Sequence, residues 1–297
     1  MVSNSRVSQA GAASDNTYLK GYLLVLAAAF SYGLQPYFAF FAYSDGATPI
    51  GLLLARFCLA NLMLLLWLRI KKIALPRGKE FGQYLLIGLG YAGAALGYYT
   101  ASQSSSISLA VILMFSFPAF VGLYSMFVLK QSIKPIRICA MLLAFCGVLL
   151  AAGNNFQGDI SGVVWALFAA ISYGSAIIYG AHKPNTTQPL AAAWVILLGG
   201  VGTFICAGLM QDVSLPQSVT GWTAVVGLAL FATIVPIVCF ISGSPSIGAA
   251  NAATLSNLEP VVAIAIAVLL VGESLTWSTV LGGVLVLIAA SALAKQP

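Results

Sequence analysis

Two ionisable side chains in this 297-residue chain, Arg56 and Glu259, stand inside long apolar runs, and they carry most of the chemistry the sequence offers. Arg56 falls about seven residues into the run that opens at Pro49, some 10 Å along a helix rising 1.5 Å per residue. Glu259 falls about ten residues into the run 249–270, directly before Pro260. In an apolar medium each costs about 2.5–3.5 kcal/mol, which requires a partner or a role. Arg56 suits a substrate carboxylate, and Glu259 suits a gate or coupling group. The residues admit a second reading equally well: the two pair with each other, or backbone carbonyls, hydroxyls and amides satisfy them.

Polar and aromatic residues recur in the same runs: Ser31, Tyr32 and Gln35, then Tyr98 and Tyr99, Trp165 and Tyr173, and Asn257 beside Glu259. Deep aromatics with a polar edge suit a pocket for an amphipathic or aromatic small molecule. Prolines interrupt four runs, at Pro36, Pro118, Pro236 and Pro260. Each removes a backbone donor and bends its helix. Pro118 and Pro260 occupy matching places in the two halves of the chain, which marks them as candidate hinges.

Catalytic and cofactor chemistry finds no foothold. The single histidine is His182, and no HExxH or phosphate-binding glycine loop occurs. Cys58, Cys139, Cys146, Cys206 and Cys239 form no CxxC pair and read as thiols packed within apolar runs. The expectation is a protein that is not an enzyme, holds no cofactor or metal, and lacks intrinsic ATP drive.

The elements that must position these residues follow from composition. The chain is 60% hydrophobic and 7% charged, against roughly 25% charged in soluble domains. A soluble catalytic or nucleic-acid-binding domain is thereby excluded, and the surplus of 13 Lys and Arg over 7 Asp and Glu needs another explanation. Uncharged runs predict ten membrane-spanning helices near 19–43, 49–69, 82–101, 108–129, 135–153, 160–182, 189–209, 220–242, 249–270 and 276–294. Two of the cuts fall at polar knots, SQSSSIS (102–108) and SGSPSIG (242–248). With the N-terminus cytoplasmic, every Lys and Arg except Arg56 lies on the inner side, while Asp45, Asp159, Asp212 and Glu273 lie outside. Both termini are therefore expected in the cytoplasm of a multi-pass membrane protein.

The chain also repeats itself at an offset of about 141 residues. AAFSYG (28–33) returns as AAISYG (169–174), Pro49 as Pro189, Phe117-Pro118 as Glu259-Pro260, and LKQSI (129–133) as VGESL (271–275). The predicted organisation is a cytoplasmic tail over 1–18, one five-helix repeat over 19–153, a second over 154–294, and a short tail over 295–297. An odd number of spans per copy inverts the second relative to the first, the arrangement that recurs in secondary transporters with a solute site between the copies.

The AAxSYG pairs, Arg56-Phe57 and LEPVVAIAIAVLLVGESL (258–275) resemble the EamA type of the drug/metabolite transporter superfamily, over about residues 19–294. Within it the chain is similar to bacterial exporters of aromatic amino acids, of the YddG type. The resemblance implies an all-helical basket of two inverted five-helix repeats around a central cavity, exporting solute by alternating access, and it puts Arg56 and Glu259 in motif positions. The first half departs from the pattern, with Phe117 where Glu259 stands and Lys130-Gln131 where Gly272-Glu273 stand. The expected partners are a small-molecule substrate and the lipid bilayer, with no nucleic acid, and the chain is expected to be a monomer. A nucleotide-sugar or sugar-phosphate carrier would call for several cavity Lys or Arg where only Arg56 is present. A noncatalytic scaffold or lipid-flipping subunit is the rival from another class.

Overall fold

The computed structural model describes residues 3–128, 130, 134–153, 160–181 and 187–294, and among these there is helix and no strand. The helices are α1 (Ser3–Gly33), α2 (Gln35–Ser44), α3 (Pro49–Ile70), α4 (Gly78–Ser104), α5 (Ile107–Met114), α6 (Phe117–Phe127), α7 (Pro135–Gly153), α8 (Ile160–Ala181), α9 (Pro189–Gly208), α10 (Val219–Ala229), α11 (Val235–Ile247), α12 (Ala249–Ser256), α13 (Leu258–Ile266) and α14 (Trp277–Ala294). Among the described residues, seven stretches are long and apolar enough to cross a membrane: Thr17–Ser44, Pro49–Ile70, Ile107–Tyr124, Ile160–Gly180, Pro189–Gly208, Val219–Ile247 and Asn251–Val271. Shorter apolar helices, Ile138–Ala151 and Trp277–Leu293, accompany them, together with α4.

Local sequence explains where helices begin. Pro49, Pro135 and Pro189 each open a helix, where the missing N–H removes nothing from the ladder. Thr48, Ser106 and Ser218 cap α3, α5 and α10, their hydroxyls accepting from the N–H groups of Gly51, Leu109 and Gly221.

Proline also explains where helices break. Leu34, Ser116 and Asn257 take nearly the same backbone angles, φ/ψ of −75/−6, −76/−4 and −67/−5, and stand two or three residues before Pro36, Pro118 and Pro260. Pro236 instead follows a π-helical turn over Leu230–Ile234 that links α10 to α11.

Packing brings distant segments together. α4 lies along α8, α1 along α11 and α7 along α14, while α3 and α4 flank α9. The two SYG glycines make matching approaches: a Cβ on Gly33 would meet Val262 and the Glu259 carbonyl, and one on Gly174 would meet Val121 and the Phe117 carbonyl. The exterior is apolar, with Leu62, Leu66, Leu142, Leu149, Phe231 and Leu281 exposed on it. Such a surface is a liability in water and suits lipid.

Three sequence expectations need correction. The break in 102–108 is narrower than its polar run, confined to Ser105 and Ser106: α4 continues to Ser104, with the hydroxyls of Ser104 and Ser105 donating to the carbonyls four residues back, and α5 begins at Ile107. The run 242–248 is helical through Ile247, and the turn falls on Gly248 alone at φ 82°, a conformation glycine adopts without strain. The cysteines are not packed inside. Cys58, Cys139, Cys146 and Cys206 are free thiols on the outer surface and Cys239 is half-buried, as a lipid-facing exterior tolerates small apolar groups.

Candidate functional site

Two adjoining cavities, of about 300 and 490 Å³, share Tyr32, Met114, Phe115, Tyr173, Phe240 and Glu259 in their walls. The first reaches Arg56 and Thr233 at one end. The second reaches Leu293, in the last turn of α14, at the other. Breaks in the helix ladder supply much of this lining. Proline at 36, 118 and 260 lacks the N–H that the carbonyls of Tyr32, Met114 and Ser256 would receive in an unbroken helix, and all three residues line the cavities.

Arg56 is 5% exposed on α3, and neutral groups hold it on nearly every side. Its Nε donates to Thr233 Oγ1 at 2.8 Å, and its Nη1 donates to Gln35 Oε1 at 3.0 Å and to Tyr99 Oη at 2.8 Å. Its Nη2 donates to the Ala232 carbonyl at 3.1 Å. That acceptor exists because of Pro236: the carbonyl four residues before a proline loses its helical donor, and the guanidinium replaces it. The π turn tilts Thr233 so that its hydroxyl donates to the Leu228 carbonyl while accepting from Arg56. The Arg56 Cζ also lies 5.6 Å from the ring centroids of Phe57 and Tyr99. These bonds use four of the guanidinium's five N–H groups.

Glu259 presents the opposite case. It stands in the first turn of α13 and forms no hydrogen bond or ion pair with any described residue, Arg56 included. The helix N-terminus favours negative charge there without engaging the carboxylate oxygens. Four tyrosines share this openness. The hydroxyls of Tyr32, Tyr91, Tyr98 and Tyr173 bond to no described residue, and none is sealed away from accessible space. Tyr173 lies edge-on between Tyr91 and Phe117, with centroids 5.3 and 4.6 Å away. The result is a partly aromatic chamber holding one bare acid, several free phenol donors and acceptors, and a cation fixed at its end.

The structure brings most of the expected residues together. Tyr32, Gln35, Arg56, Tyr98, Tyr99, Tyr173 and Glu259 line the first cavity, and Asn257 and Pro118 line the second. Asn257 Nδ2 also donates to Ser291 Oγ at 2.6 Å, tying the break before α13 to α14. Ser31, Trp165 and Pro260 line neither cavity. Ser31 is a helical step of about 100° away from Tyr32, and the Trp165 ring packs edge-on against Phe168 at 5.7 Å. Sequence reading passed over Tyr91, Phe115, Phe240 and Thr233. Pro236 was the available signal for Thr233, since a proline inside a span frees a carbonyl that some donor must meet. Among the described residues no His, Cys, Asp and Glu cluster could hold a metal.

A helical molecule with a lipid-compatible exterior and an internal amphipathic chamber belongs to the class of polytopic membrane carriers. Comparison with known proteins narrows that class. The EamA-like transporter family matches twice, over residues 19–153 and again over 160–294, so the chain belongs to that family. It is 24% identical to an uncharacterized transporter of Clostridium kluyveri, with 91% of each chain covered. It is 26% identical to the uncharacterized inner membrane transporter YedA of Escherichia coli K12, covering 77% of this chain and 76% of the other. It is 25% identical to the uncharacterized transporter YdfC of Bacillus subtilis, covering 81% and 80%. A crystal structure superposes with a TM-score of 0.64 over 92% of this chain and 95% of its own, at 15% identity, a likeness of fold alone. The chain is thus a multi-pass membrane transporter.

Proposed function

We propose that the protein is a secondary, ATP-independent exporter of amino acids and related small metabolites or drugs, aromatic ones favoured, across the bacterial inner membrane. In this reading ten spans form two inverted five-helix repeats, both termini are cytoplasmic, and a single chain works by alternating access. Support comes from the paired contacts: α1 with α11 and α8 with α4 exchange under the repeat, as do the Gly33 and Gly174 approaches to positions 259 and 117.

The observation that carries the substrate reading is the bare Glu259 carboxylate facing aromatic walls. An ammonium group would meet this acid and the carbonyls freed at Met114 and Ser256, its charge further favoured by ring faces. An aromatic side chain would lie among Tyr91, Tyr173, Phe115 and Phe240, with phenol hydroxyls satisfying its polar edge. A carboxylate would use the one Arg56 N–H left over and the free Tyr98 hydroxyl. The helix breaks at Ser116 and Asn257, one repeat apart and alike in backbone angles, support Pro118 and Pro260 as hinges between the inner and outer half-helices.

Counterflow in liposomes tests the reading. Labelled Trp, Phe and Thr are offered to purified protein beside a labelled nucleotide sugar, with and without a proton gradient. Exchange of the amino acids is expected. Flux of the nucleotide sugar alone would overturn the substrate assignment, and flux of none would overturn the transport assignment.

A further inference from the structure

We propose that Asp45 and Glu273 are a pair of latches that close one end of the cavity and hold the molecule open toward the other. The proposal rests on the transport reading for its purpose, while its geometry is independent of any solute.

Asp45 follows α2. Its Oδ2 accepts from the N–H groups of Gln217 at 2.8 Å and Ser218 at 2.7 Å, where α10 begins. Glu273 precedes α14. Its Oε1 accepts from the N–H of Ile107 at 2.6 Å, and its Oε2 accepts from the N–H of Ser108 at 3.1 Å and the Ser108 hydroxyl at 2.7 Å, where α5 begins. Each acid belongs to one family-matched half and bonds a helix start in the other half. Five bonds to carboxylate therefore cross the seam between halves, and all must break before the halves part at this end. Both acids meet free N–H groups at the positive end of a helix, the setting in which carboxylate bonds are strongest.

The seam is close as well as charged. The Thr48 N–H donates to the Ser214 carbonyl at 3.0 Å, and the Ser214 N–H donates back to Thr48 Oγ1 at 3.1 Å. A Cβ on Gly51 would overlap the Ser214 carbonyl, and one on Gly221 would overlap the Asp45 carboxylate. Both glycines permit the approach that the bonds require.

The latches stand at the end of the molecule opposite the far wall of the cavity. Glu273 lies just before the first residue of α14, Trp277, whereas the second cavity runs to Leu293 in its last turn. About 27 Å of helix separates the two ends. Under the proposed topology the latched end is the outer one.

At the opposite end a carboxylate bond joins the halves, from the Thr187 hydroxyl to Glu80 Oε2 at 2.7 Å, and no acid stands at the sequence positions that match Asp45 and Glu273. The repeat places Gln131 where Glu273 stands, and Asn185 or Thr186 where Asp45 stands. A seal formed there would lack both carboxylates, so the state latched at α5 and α10 is the resting state.

A cavity reporter tests this without a substrate. In a background with the five native cysteines replaced by serine, Ala95→Cys places a thiol on the first cavity's wall. A membrane-impermeant maleimide is applied to each side of oriented vesicles in turn, and Thr220→Cys, exposed beside the latches, identifies their side. The parent is expected to label from the Leu293 side alone. Asp45→Ala with Glu273→Ala is expected to raise labelling from the latch side about tenfold or more. Asp45→Asn with Glu273→Gln, which keeps an acceptor oxygen and loses the charge, is expected to fall between. Gly51→Ala and Gly221→Ala wedge the same seam with both acids intact and should also raise it. Latch-side labelling that stays at the parent rate in all of these, in protein that remains monodisperse, would overturn the proposal. A parent that shows no counterflow would count against the transport reading and leave the labelling result as it stands.

Discussion

Arg56 and Glu259 line the same cavity, and the protein treats them in opposite ways. The guanidinium has four bonds, to Thr233, Gln35, Tyr99 and the Ala232 carbonyl. The carboxylate has none among the described residues. A buried charge whose donors are all but spent holds helices together, here α2, α3, α4 and the turn before α11. A charge left bare in an accessible cavity has kept its interaction energy for something that arrives from outside. The same cost of burial thus produces a structural strut in one place and a recognition group in the other.

Removing each charge in turn separates the two roles. Arg56→Ala should have the largest effect, on stability: it strands the Ala232 carbonyl, at about 1–3 kcal/mol for a buried group left without a partner, and removes the charged donors of Gln35, Tyr99 and Thr233, whose hydrogen bonds are of the stronger kind. A loss of about 3 kcal/mol or more in denaturant unfolding in detergent is expected. Unchanged stability would make Arg56 a free ligand group and erase the contrast with Glu259. Glu259→Gln should leave unfolding nearly unmoved and reduce counterflow of an amino-bearing solute about hundredfold, the scale of losing one partner of a buried charged contact. A variant that transports at the parent rate would remove the acid from recognition.

The sequence showed these two residues for the reason that makes them costly: a lone charge in an apolar run is conspicuous. The helix runs were visible on the same ground, since almost every other charge falls between them. Their partners were not. Thr233 stands 177 residues from Arg56, and only packing of α3 against the turn after α10 joins them. Polar clusters at 102–108 and 242–248 marked the breaks but not their extent: at 102–108 serine hydroxyls bonded to carbonyls one turn back carry α4 to Ser104, and at 242–248 the helix runs to Ile247 with the turn on Gly248. Facing was equally hidden. Trp165 and Tyr173 lie on one helix, yet Tyr173 alone reaches the cavity.

A finer version of the contrast uses one hydroxyl at a time. Tyr99 Oη accepts from Arg56 and donates to Gln35 at 3.3 Å, whereas Tyr173 Oη bonds no described residue. Tyr99→Phe should cost about 1 kcal/mol of stability, the net worth of a typical buried hydrogen bond. Tyr173→Phe should leave stability alone and shift the apparent KM for an aromatic solute several-fold. Equal destabilisation by both substitutions would show that Tyr173 has a partner inside the protein.

The smallest expected effect concerns an acid whose partners are complete. The N–H of Ser218, joined by that of Gln217, holds the Asp45 carboxyl below its ordinary range. A carboxyl lowered on folding contributes its stabilisation fully above the unfolded value, about 3.9 for Asp, and loses it only as pH falls through the lower folded value. The Asp45 latch should therefore be constant between about pH 5 and 8. Latch-side labelling of the Ala95→Cys reporter, compared between the parent and Asp45→Asn, checks this: the ratio should not change across that interval. A ratio that collapses toward one already at about pH 6 would mean that Asp45 is protonated there and that its bonds to α10 do not hold the charge. With the ratio flat, any change in transport over the same interval originates elsewhere in the protein, and repeating the titration on Glu259→Gln tells whether the bare acid of the cavity is its source.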